Sequence, residues 1–204
     1  MSGLLLPIAY AAPLAYWVPI AKGAHIVWEI HDHYEKQTYR NRTYIHAANG
    51  KQLLSIPIKH LGHEGYQRYS DVEIANEFAW QKQHWKSIQT AYRSSPFFEY
   101  YEDDISPLYL KPYEKLMDFN TLVNRTIARL LDIPYPEETS QSFVKKSQIE
   151  TDARSWANAK IPLPIETPQY IQVFSDKNGF IPNLSIFDLL FNEGPQSAAL
   201  LRSV

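Results

Sequence analysis

Residues 4–30, LLLPIAYAAPLAYWVPIAKGAHIVWEI, decide the fold that this chain is expected to adopt. The segment opens with a short apolar run at 4–8, which is typical of a buried strand. Residues 12–22 then predict a helix, with Pro13 near its first turn. A second apolar run at 25–30 predicts another strand. The segment therefore indicates a strand, helix, strand unit whose two strands run parallel.

The same segment resembles a membrane span or a signal sequence in composition, because residues 4–21 carry no charge. Pro7, Pro13 and Pro19 interrupt the run, and no basic segment precedes it. It also barely reaches the roughly 20 residues that a spanning helix needs. We therefore interpret the run as buried structure, and we expect no membrane span.

Further along the chain, Asn49-Gly50 lies between two strand-like segments at 44–47 and 53–58. This dipeptide favours the positive φ angles of a two-residue hairpin turn. The sequence therefore predicts an antiparallel hairpin in addition to the parallel unit.

Helices are predicted from the middle of the chain onward. From Asn76 to Tyr92 the aromatic and apolar side chains recur on one face, and Asn76 is the expected N-cap. Ser95 is expected to cap a short helix that follows it. Residues 116–130 form the strongest amphipathic segment, and residues 184–191 predict a short apolar helix. These helices are expected to cover the sheet.

The remaining segments are less regular. Residues 60–69 predict a loop, and residues 170–174 are strand-like. The polar stretch 134–155 is interpreted as a surface excursion or a flexible loop. With 204 residues and 45% hydrophobic content, the chain is long enough to bury a core as one domain. We therefore predict a single α/β domain over residues 1–204, with a mixed sheet that contains a βαβ-like unit and a β-hairpin.

Composition excludes several classes of function. The formal net charge of -2 gives no overall attraction to nucleic acid, and no stable nucleic-acid binding is expected. The chain has no cysteine, which excludes disulfides, thiolate metal sites and a cysteine nucleophile. These features favour a cytoplasmic protein.

The stretch YEKQTYRNR at residues 34–42 places three cations within nine residues. The guanidinium groups of Arg40 and Arg42 are suited to grip a carboxylate or phosphate through paired hydrogen bonds, and Lys36 adds a point charge. We therefore expect an anionic small molecule, such as a nucleotide-sugar, as the partner. A solvated basic rim, or ion pairs with nearby acids, is the alternative interpretation.

Five segments together resemble the WbqC-like protein family. They are LLPIAY near the start, YEKQTYRNR with the following turn, HWKSIQTAYRSSPFFEYYEDD, LMDFN, and NLSIFDLLFNEGP near the end, so the resemblance spans residues 5–195. Members occur in bacterial gene clusters for O-antigen and related surface polysaccharides, and one proposal for them is transfer of glycine onto a sugar. The resemblance thus implies a transferase of surface-polysaccharide biosynthesis that moves an acyl or aminoacyl group.

Direct transfer of this kind needs a base and donors for a developing oxyanion, but no protein nucleophile. The matched motifs supply candidates for both roles. The catalytic candidates are Glu29, His84 and Glu99. The candidates for substrate binding are Lys36, Tyr39, Arg40, Asn41, Arg42, Trp85 and Asn120. The sequence identifies neither the donor nor any cofactor.

Each candidate also has a purely structural interpretation. His84, on an apolar helical face, is more often a packed histidine than a base, and Glu99 fits an exposed acid equally well. Asp118 is expected to be a helix N-cap. A metal site at His31 and His33 is the least favoured option. A non-catalytic sugar- or nucleotide-binding accessory protein is the rival function, and nucleotidyl transfer lacks the HxGH-type signature.

Overall fold

The computed structural model describes residues 3–59, 67–143 and 151–204. Strand β1 (Gly3–Pro7) leads through helix α1 (Leu14–Ala21) into strand β2 (His25–Glu29). The two strands pair in parallel, with Gly3 opposite His25 and Pro7 opposite Glu29. The predicted strand, helix, strand unit is therefore confirmed.

The predicted hairpin also forms, from β3 (Arg42–Ala47) and β4 (Gly50–Ser55). Its turn lies one residue earlier than expected, because Ala47 pairs with Gly50 and residues 48–49 form the loop. Gly50 has a φ of 98°, whereas Asn49 is not among the described residues with positive φ. Glycine is needed at position 50 because few other residues adopt this conformation at low cost.

A short strand, β5 (Thr151–Asp152), pairs with the free side of β1 and gives the parallel order β2-β1-β5. Residues 134–143 run beside the outer edge of β2. There the Trp28 amide donates to the Glu138 carbonyl at 2.9 Å, and the Ser140 amide donates to the Trp28 carbonyl at 2.8 Å. These described residues of the predicted excursion thus lie against the sheet edge.

Helices cover the sheet and the hairpin. They are α2 (Trp80–Tyr92), α3 (Phe98–Ile105), α4 (Leu116–Leu130), α5 (Ser175–Asn178), α6 (Ile186–Glu193) and α7 (Ser197–Ser203). The bounds of α4 are those that its periodicity predicts. Residues 170–174 form no strand, so that prediction is wrong. Most of the predicted loop at 60–69 lies outside the described residues.

Three predicted helix caps are wrong. The Asn76 side chain donates to the Tyr113 carbonyl at 2.8 Å, and α2 begins four residues later at Trp80. The Ser95 hydroxyl donates back to the Tyr92 carbonyl at 2.8 Å instead of capping α3. Asp118 lies within the first turn of α4, beyond the N-cap. In each case the short polar side chain has a different role from the one that local sequence suggests.

Every residue of α1 is buried, and the helix packs against α6 and α7. Burial on all sides explains why the 4–21 run is apolar throughout. No helix within the described ranges is long and apolar enough to cross a membrane. The chain segment that joins β2 to the hairpin, residues 30–41, leaves the carboxyl end of the parallel sheet, and it carries most of the predicted site.

Candidate functional site

Arg40 is buried in the segment between β2 and β3, with 1% of its surface exposed. Its Nη2 donates to Asp32 Oδ2 at 2.6 Å, and its Nη1 lies 3.9 Å from Glu35 Oε2. A buried guanidinium needs such a partner, since removing an unpaired charge from water is costly. Arg40 thus pairs with nearby acids, as the alternative interpretation of the cationic stretch expected.

The Arg40 guanidinium has unused hydrogen-bonding capacity. Its Nε and Nη1 atoms are buried and have no hydrogen-bond partner within the described ranges, although Nη1 is the atom that lies 3.9 Å from Glu35 Oε2. Three more buried oxygens lack a hydrogen-bond partner within the described ranges, namely the Tyr16 and Tyr34 hydroxyls and Glu29 Oε2. Buried polar groups are nearly always satisfied in native proteins, so this concentration of unsatisfied groups needs an explanation. A bound ligand would supply the missing partners.

The charge of Arg40 acts on three tyrosines, of which Tyr69 contacts its guanidinium. Its central carbon lies 5.6 Å from the centroid of the Tyr69 ring, and the Tyr34 ring lies 6.3 Å from that of Tyr69. Burial raises the pKa of Tyr34 to about 12, against the lowering effect of Arg40 and Arg42. Burial likewise raises the pKa of Tyr16, again opposed by the charge of Arg40. The Tyr16 and Tyr34 hydroxyls are therefore protonated at neutral pH.

Glu29 ends β2 at the carboxyl edge of the sheet and is completely buried. Its Oε1 accepts hydrogen bonds from the His31 amide at 2.7 Å and from the Ser140 hydroxyl at 2.8 Å. Its Oε2 has no partner in the described part of the chain. These contacts fix the orientation of the carboxylate and leave one oxygen available for a ligand or a proton.

Arg154 approaches the same acids from the segment after β5. Its guanidinium bonds to Asp152, with Nε at 2.9 Å from Oδ1 and Nη2 at 2.5 Å from Oδ2. This hydrogen bonding raises the pKa of Arg154, and the charges of Asp32 and Glu29 raise it further. We refer to the grouped side chains below as the Arg40 cluster, which comprises Tyr16, Glu29, Asp32, Tyr34, Arg40 and Tyr69.

Helix α4 contacts this cluster through the side chain of Asn120. The Asn120 side chain is fully buried, and its Nδ2 donates to the Arg40 carbonyl at 2.6 Å and to the Tyr69 hydroxyl at 2.7 Å. One turn later, Asn124 Nδ2 donates to the Ala9 carbonyl at 2.7 Å. Asn120, predicted to bind substrate, thus contacts the backbone and a tyrosine of the site.

The amino end of α1 faces other protein groups. The Leu14 amide donates to the Leu184 carbonyl at 3.0 Å, and the Ala15 amide donates to Asn183 Oδ1 at 2.9 Å. These first-turn amides are the groups that would hold a phosphate at a helix N-terminus. Because they are occupied, the geometry does not favour the nucleotidyl-transfer alternative.

The other predicted binding residues of the 34–42 stretch differ in exposure. Lys36 is exposed and Arg42 is half-buried, and neither forms an ion pair within the described part of the chain. Tyr39 is buried, and its amide donates to the Ala157 carbonyl at 2.7 Å. Asn41 is buried as well, with Nδ2 donating to the Ile56 carbonyl at 3.0 Å. Lys36 and Arg42 thus form a cationic rim beside the Arg40 cluster.

His84 has a fully engaged ring. Its Nε2 donates to the Ser55 carbonyl at 3.2 Å, and its Nδ1 accepts from the Tyr10 hydroxyl at 2.9 Å. Burial lowers the pKa of His84 to about 4. The ring is therefore neutral at pH 7, with no lone pair left for a substrate proton. Its contacts are those of a packed core histidine.

Glu99 and Trp85 lie away from the Arg40 cluster. Glu99 is exposed on α3, and no hydrogen bond, ion pair or ring contact joins it to the cluster among the described residues. Trp85 stacks between Phe98 and Tyr109, with ring centroids 6.0 and 5.9 Å away. No group of three metal-ligating side chains occurs within the described ranges. The structure thus brings Glu29 and Arg40 to one region and leaves the other two catalytic candidates elsewhere.

Comparison with known proteins identifies the family. The sequence profile of the WbqC-like protein family matches residues 9–161. The chain belongs to this family. It is also 24% identical to the uncharacterised protein Rv1507c of Mycobacterium tuberculosis over 198 residues, which cover 83% of this chain and 84% of the relative. No solved structure matches the chain.

The WbqC-like match includes every member of the Arg40 cluster and ends before the NLSIFDLLFNEGP segment. Sequence reasoning missed Tyr16, Tyr69 and Arg154 as members or neighbours of the site. Tyr16 lies within an apolar run and Tyr69 is the last residue of the predicted loop, so neither shows a local pattern that indicates a binding role. Asp152-Ala153-Arg154 offers only a short-range charge pair. Their grouping depends on tertiary contacts.

Proposed function

We propose that this WbqC-like protein binds a nucleotide-linked sugar at the Arg40 cluster and transfers an acyl or aminoacyl group onto that sugar. The family resemblance supplies the setting, which is cytoplasmic assembly of bacterial surface polysaccharide. One observation supports the site above all: Arg40 Nε is buried with neither a hydrogen-bond nor an ion-pair partner in the described structure, and the Tyr16 and Tyr34 hydroxyls and Glu29 Oε2 of the same cluster are buried there without hydrogen-bond partners. Together these atoms offer both donors and acceptors to a polar ligand.

The proposed reaction needs a base for the attacking amine or hydroxyl of the sugar. Glu29 Oε2 has an unused lone pair, and its carboxylate is oriented by the Ser140 hydroxyl and the His31 amide. The attacking atom forms a bond to the acyl carbon, the bond to the donor's leaving group breaks, and the proton passes to Glu29. Arg40 N–H groups stabilise the negative charge on the acyl oxygen.

Glu29 is preferred to His84 and Glu99 as the base because of their surroundings. Both ring nitrogens of His84 are engaged, and Glu99 is exposed on α3. A general base must reach the proton that it removes, and neither side chain contacts the Arg40 cluster.

A non-catalytic binding protein is the second candidate. The observation in its favour is the Arg40–Asp32 ion pair at 2.6 Å, which already neutralises the central cation of the site. A site whose charges are balanced in this way is suited to holding a polar ligand without altering it.

Binding is tested by isothermal titration calorimetry with UDP-glucose, dTDP-glucose and GDP-mannose. We expect at least one probe to bind the wild type, and Arg40→Gln to raise its Kd more than tenfold. Arg129→Gln is the matched control, because Arg129 is an exposed arginine on α4 that pairs with Asp104. If Arg40→Gln binds as tightly as Arg129→Gln, the Arg40 cluster is not the binding site.

Turnover separates the two candidates. The bound nucleotide-sugar is incubated with acetyl-coenzyme A or with glycyl-tRNA, and the product is sought by mass spectrometry. We expect an acylated sugar with the wild type, and loss of about 100-fold or more in rate with Glu29→Gln at unchanged sugar affinity. Binding without product from either donor supports the accessory candidate instead.

A further inference from the structure

The Arg40 cluster and its cationic rim differ in the kind of ligand group that they suit. Lys36 is exposed and Arg42 half-buried, whereas Arg40 and Tyr16 are almost completely buried. Tyr34 lies between them in exposure, because it is half-buried and its ring lies 6.3 Å from that of Tyr69, which the Arg40 guanidinium contacts at 5.6 Å. The site thus has a buried end and an exposed end.

Among the described residues, the buried end carries no excess of positive charge. Its cations there are Arg40 and Arg154 and its carboxylates are Glu29 and Asp32, while Arg154 is also paired with the exposed Asp152. Adding a diphosphate to this end would place further negative charge in a poorly solvated region whose cations are already paired. Burial of such uncompensated charge is strongly unfavourable. The buried end therefore favours an uncharged ligand group.

The unsatisfied atoms of the buried end match the hydroxyls of a sugar. Arg40 Nε and Nη1 are donors, Glu29 Oε2 is an acceptor, and the Tyr16 and Tyr34 hydroxyls act as either. A sugar hydroxyl also donates and accepts. The rings of Tyr34 and Tyr69 add aromatic surface, which suits the apolar C–H faces of a pyranose.

The exposed end has the opposite character. Neither Lys36 nor Arg42 is neutralised by an acid in the described ranges, and Arg42 Nε has no hydrogen-bond partner there. Arg42 Nε is itself buried, so the solvated part of this rim is Lys36, and the two cations together are suited to phosphate oxygens. A diphosphate beside Lys36 stays in contact with solvent, because Lys36 is exposed.

We infer that the sugar ring enters the buried end among Tyr16, Tyr34 and Arg40, while the diphosphate stays at the Lys36 and Arg42 rim. This orientation rests on the proposed function, because it assumes that a nucleotide-sugar binds the cluster. It assigns Tyr16 and Tyr34 to sugar specificity, and it places the sugar, not the nucleotide, beside Glu29.

The orientation is tested by measuring Kd for the best nucleotide-sugar and for its own nucleoside diphosphate, such as UDP-glucose and UDP. The double variant Tyr16→Phe/Tyr34→Phe removes two hydroxyls and keeps both rings. We expect it to raise the Kd of the nucleotide-sugar about tenfold and to leave that of the nucleoside diphosphate within about twofold. Lys36→Gln/Arg42→Gln is expected to weaken both ligands, with the loss shrinking at high salt.

The outcomes distinguish this inference from the function on which it rests. If the tyrosine variant weakens the nucleoside diphosphate as much as the nucleotide-sugar, the diphosphate occupies the buried end and the inference is overturned. The inference also fails if the rim variant leaves nucleoside diphosphate binding unchanged. If the wild type binds no probe, the proposed function itself is contradicted. Equal melting temperatures of the wild type and the tyrosine variant show that folding is retained.

Discussion

Two buried polar networks in this fold differ in how completely their hydrogen bonds are satisfied. In the Asp188 network, Asp188 Oδ1 accepts from the Tyr92 hydroxyl at 2.7 Å and Oδ2 from the Tyr170 hydroxyl at 2.6 Å. His46 Nδ1 donates to Gln172 Oε1 at 3.2 Å. None of these side chains has a buried polar atom without a partner in the described structure. The Arg40 cluster, in contrast, has at least five such atoms.

The difference separates a structural network from a binding site. The Asp188 network joins the irregular segment around Gln172 to β3 and α6, and none of its buried polar side-chain atoms lacks a partner within the described structure. The Arg40 cluster is held just as firmly, by Asp32 and Asn120, yet several of its polar atoms are unused. Burial alone does not identify a site, because both networks are buried. The two networks differ in the number of buried polar atoms that lack a hydrogen-bond partner, and this number is what indicates a binding site.

Breaking the Asp188 network is expected to have the largest effect on stability. Asp188→Ala leaves the Tyr92 and Tyr170 hydroxyls buried without their acceptor and opens a cavity. We expect the free energy of unfolding to fall by about 3 kcal/mol. Urea denaturation at pH 7 measures it. A loss below about 1 kcal/mol would show that the network is not structural and would remove the contrast with the Arg40 cluster.

The pH dependence of the free energy of unfolding tests whether His84 is part of the satisfied, structural interior. Burial lowers the pKa of His84 from 6.5 to about 4, so the unfolded chain takes up a proton before the folded protein does. The stabilisation is present above pH 6.5 and is lost as the pH falls toward 4, by about 3 kcal/mol in all. His84→Gln should flatten this part of the stability curve, as urea midpoints between pH 4 and 7 would measure.

The change in stability with pH must be measured for His84→Gln and for the wild type, and the two curves subtracted. Asp188 also makes stability depend on pH, but in the opposite direction to His84. Burial raises the pKa of Asp188, so its contribution to stability falls as the pH rises. That contribution is common to both proteins and cancels. If the two curves stay parallel between pH 4 and 7, His84 does not titrate as its burial requires.

Tyr16→Phe is expected to have the smallest effect on stability, although Tyr16 is completely buried. Its hydroxyl has no partner in the described part of the protein, so the substitution removes an unsatisfied group and keeps the ring. The free energy of unfolding should change by less than about 0.5 kcal/mol or rise. Tyr92→Phe is the matched control, because its hydroxyl is bonded to Asp188. Equal losses in the two variants would break the comparison.

The fold was predictable wherever local pattern determines structure. The β1-α1-β2 unit, the hairpin and α4 follow from apolar runs, a glycine turn and helical periodicity, which neighbouring residues set among themselves. Asn76 and Ser95 fit the cap pattern equally well, yet each bonds to a carbonyl that tertiary structure or the preceding helix supplies. Local propensity cannot rank such competing partners.

The site was predictable only in part, for a related reason. The cationic stretch identifies Arg40 as a candidate, but the sequence does not distinguish a buried, paired Arg40 from an exposed one. The tyrosines that complete the cluster come from α1 and from the segment after residue 67, and their spacing in the chain gives no indication that they meet. The catalytic roles predicted for Glu29, His84 and Glu99 stay predictions, of which the geometry favours Glu29.

A crystal structure with the tightest-binding nucleotide-sugar of the panel tests the central claim most directly. The account predicts ligand atoms within hydrogen-bond distance of Arg40 Nε or Nη1, in the region bounded by Tyr16, Tyr34 and Glu29. A ligand bound elsewhere, such as in the cavity of about 460 Å³ lined by Ser94, Gln172 and Asn192, with the Arg40 nitrogens meeting only water, would contradict it.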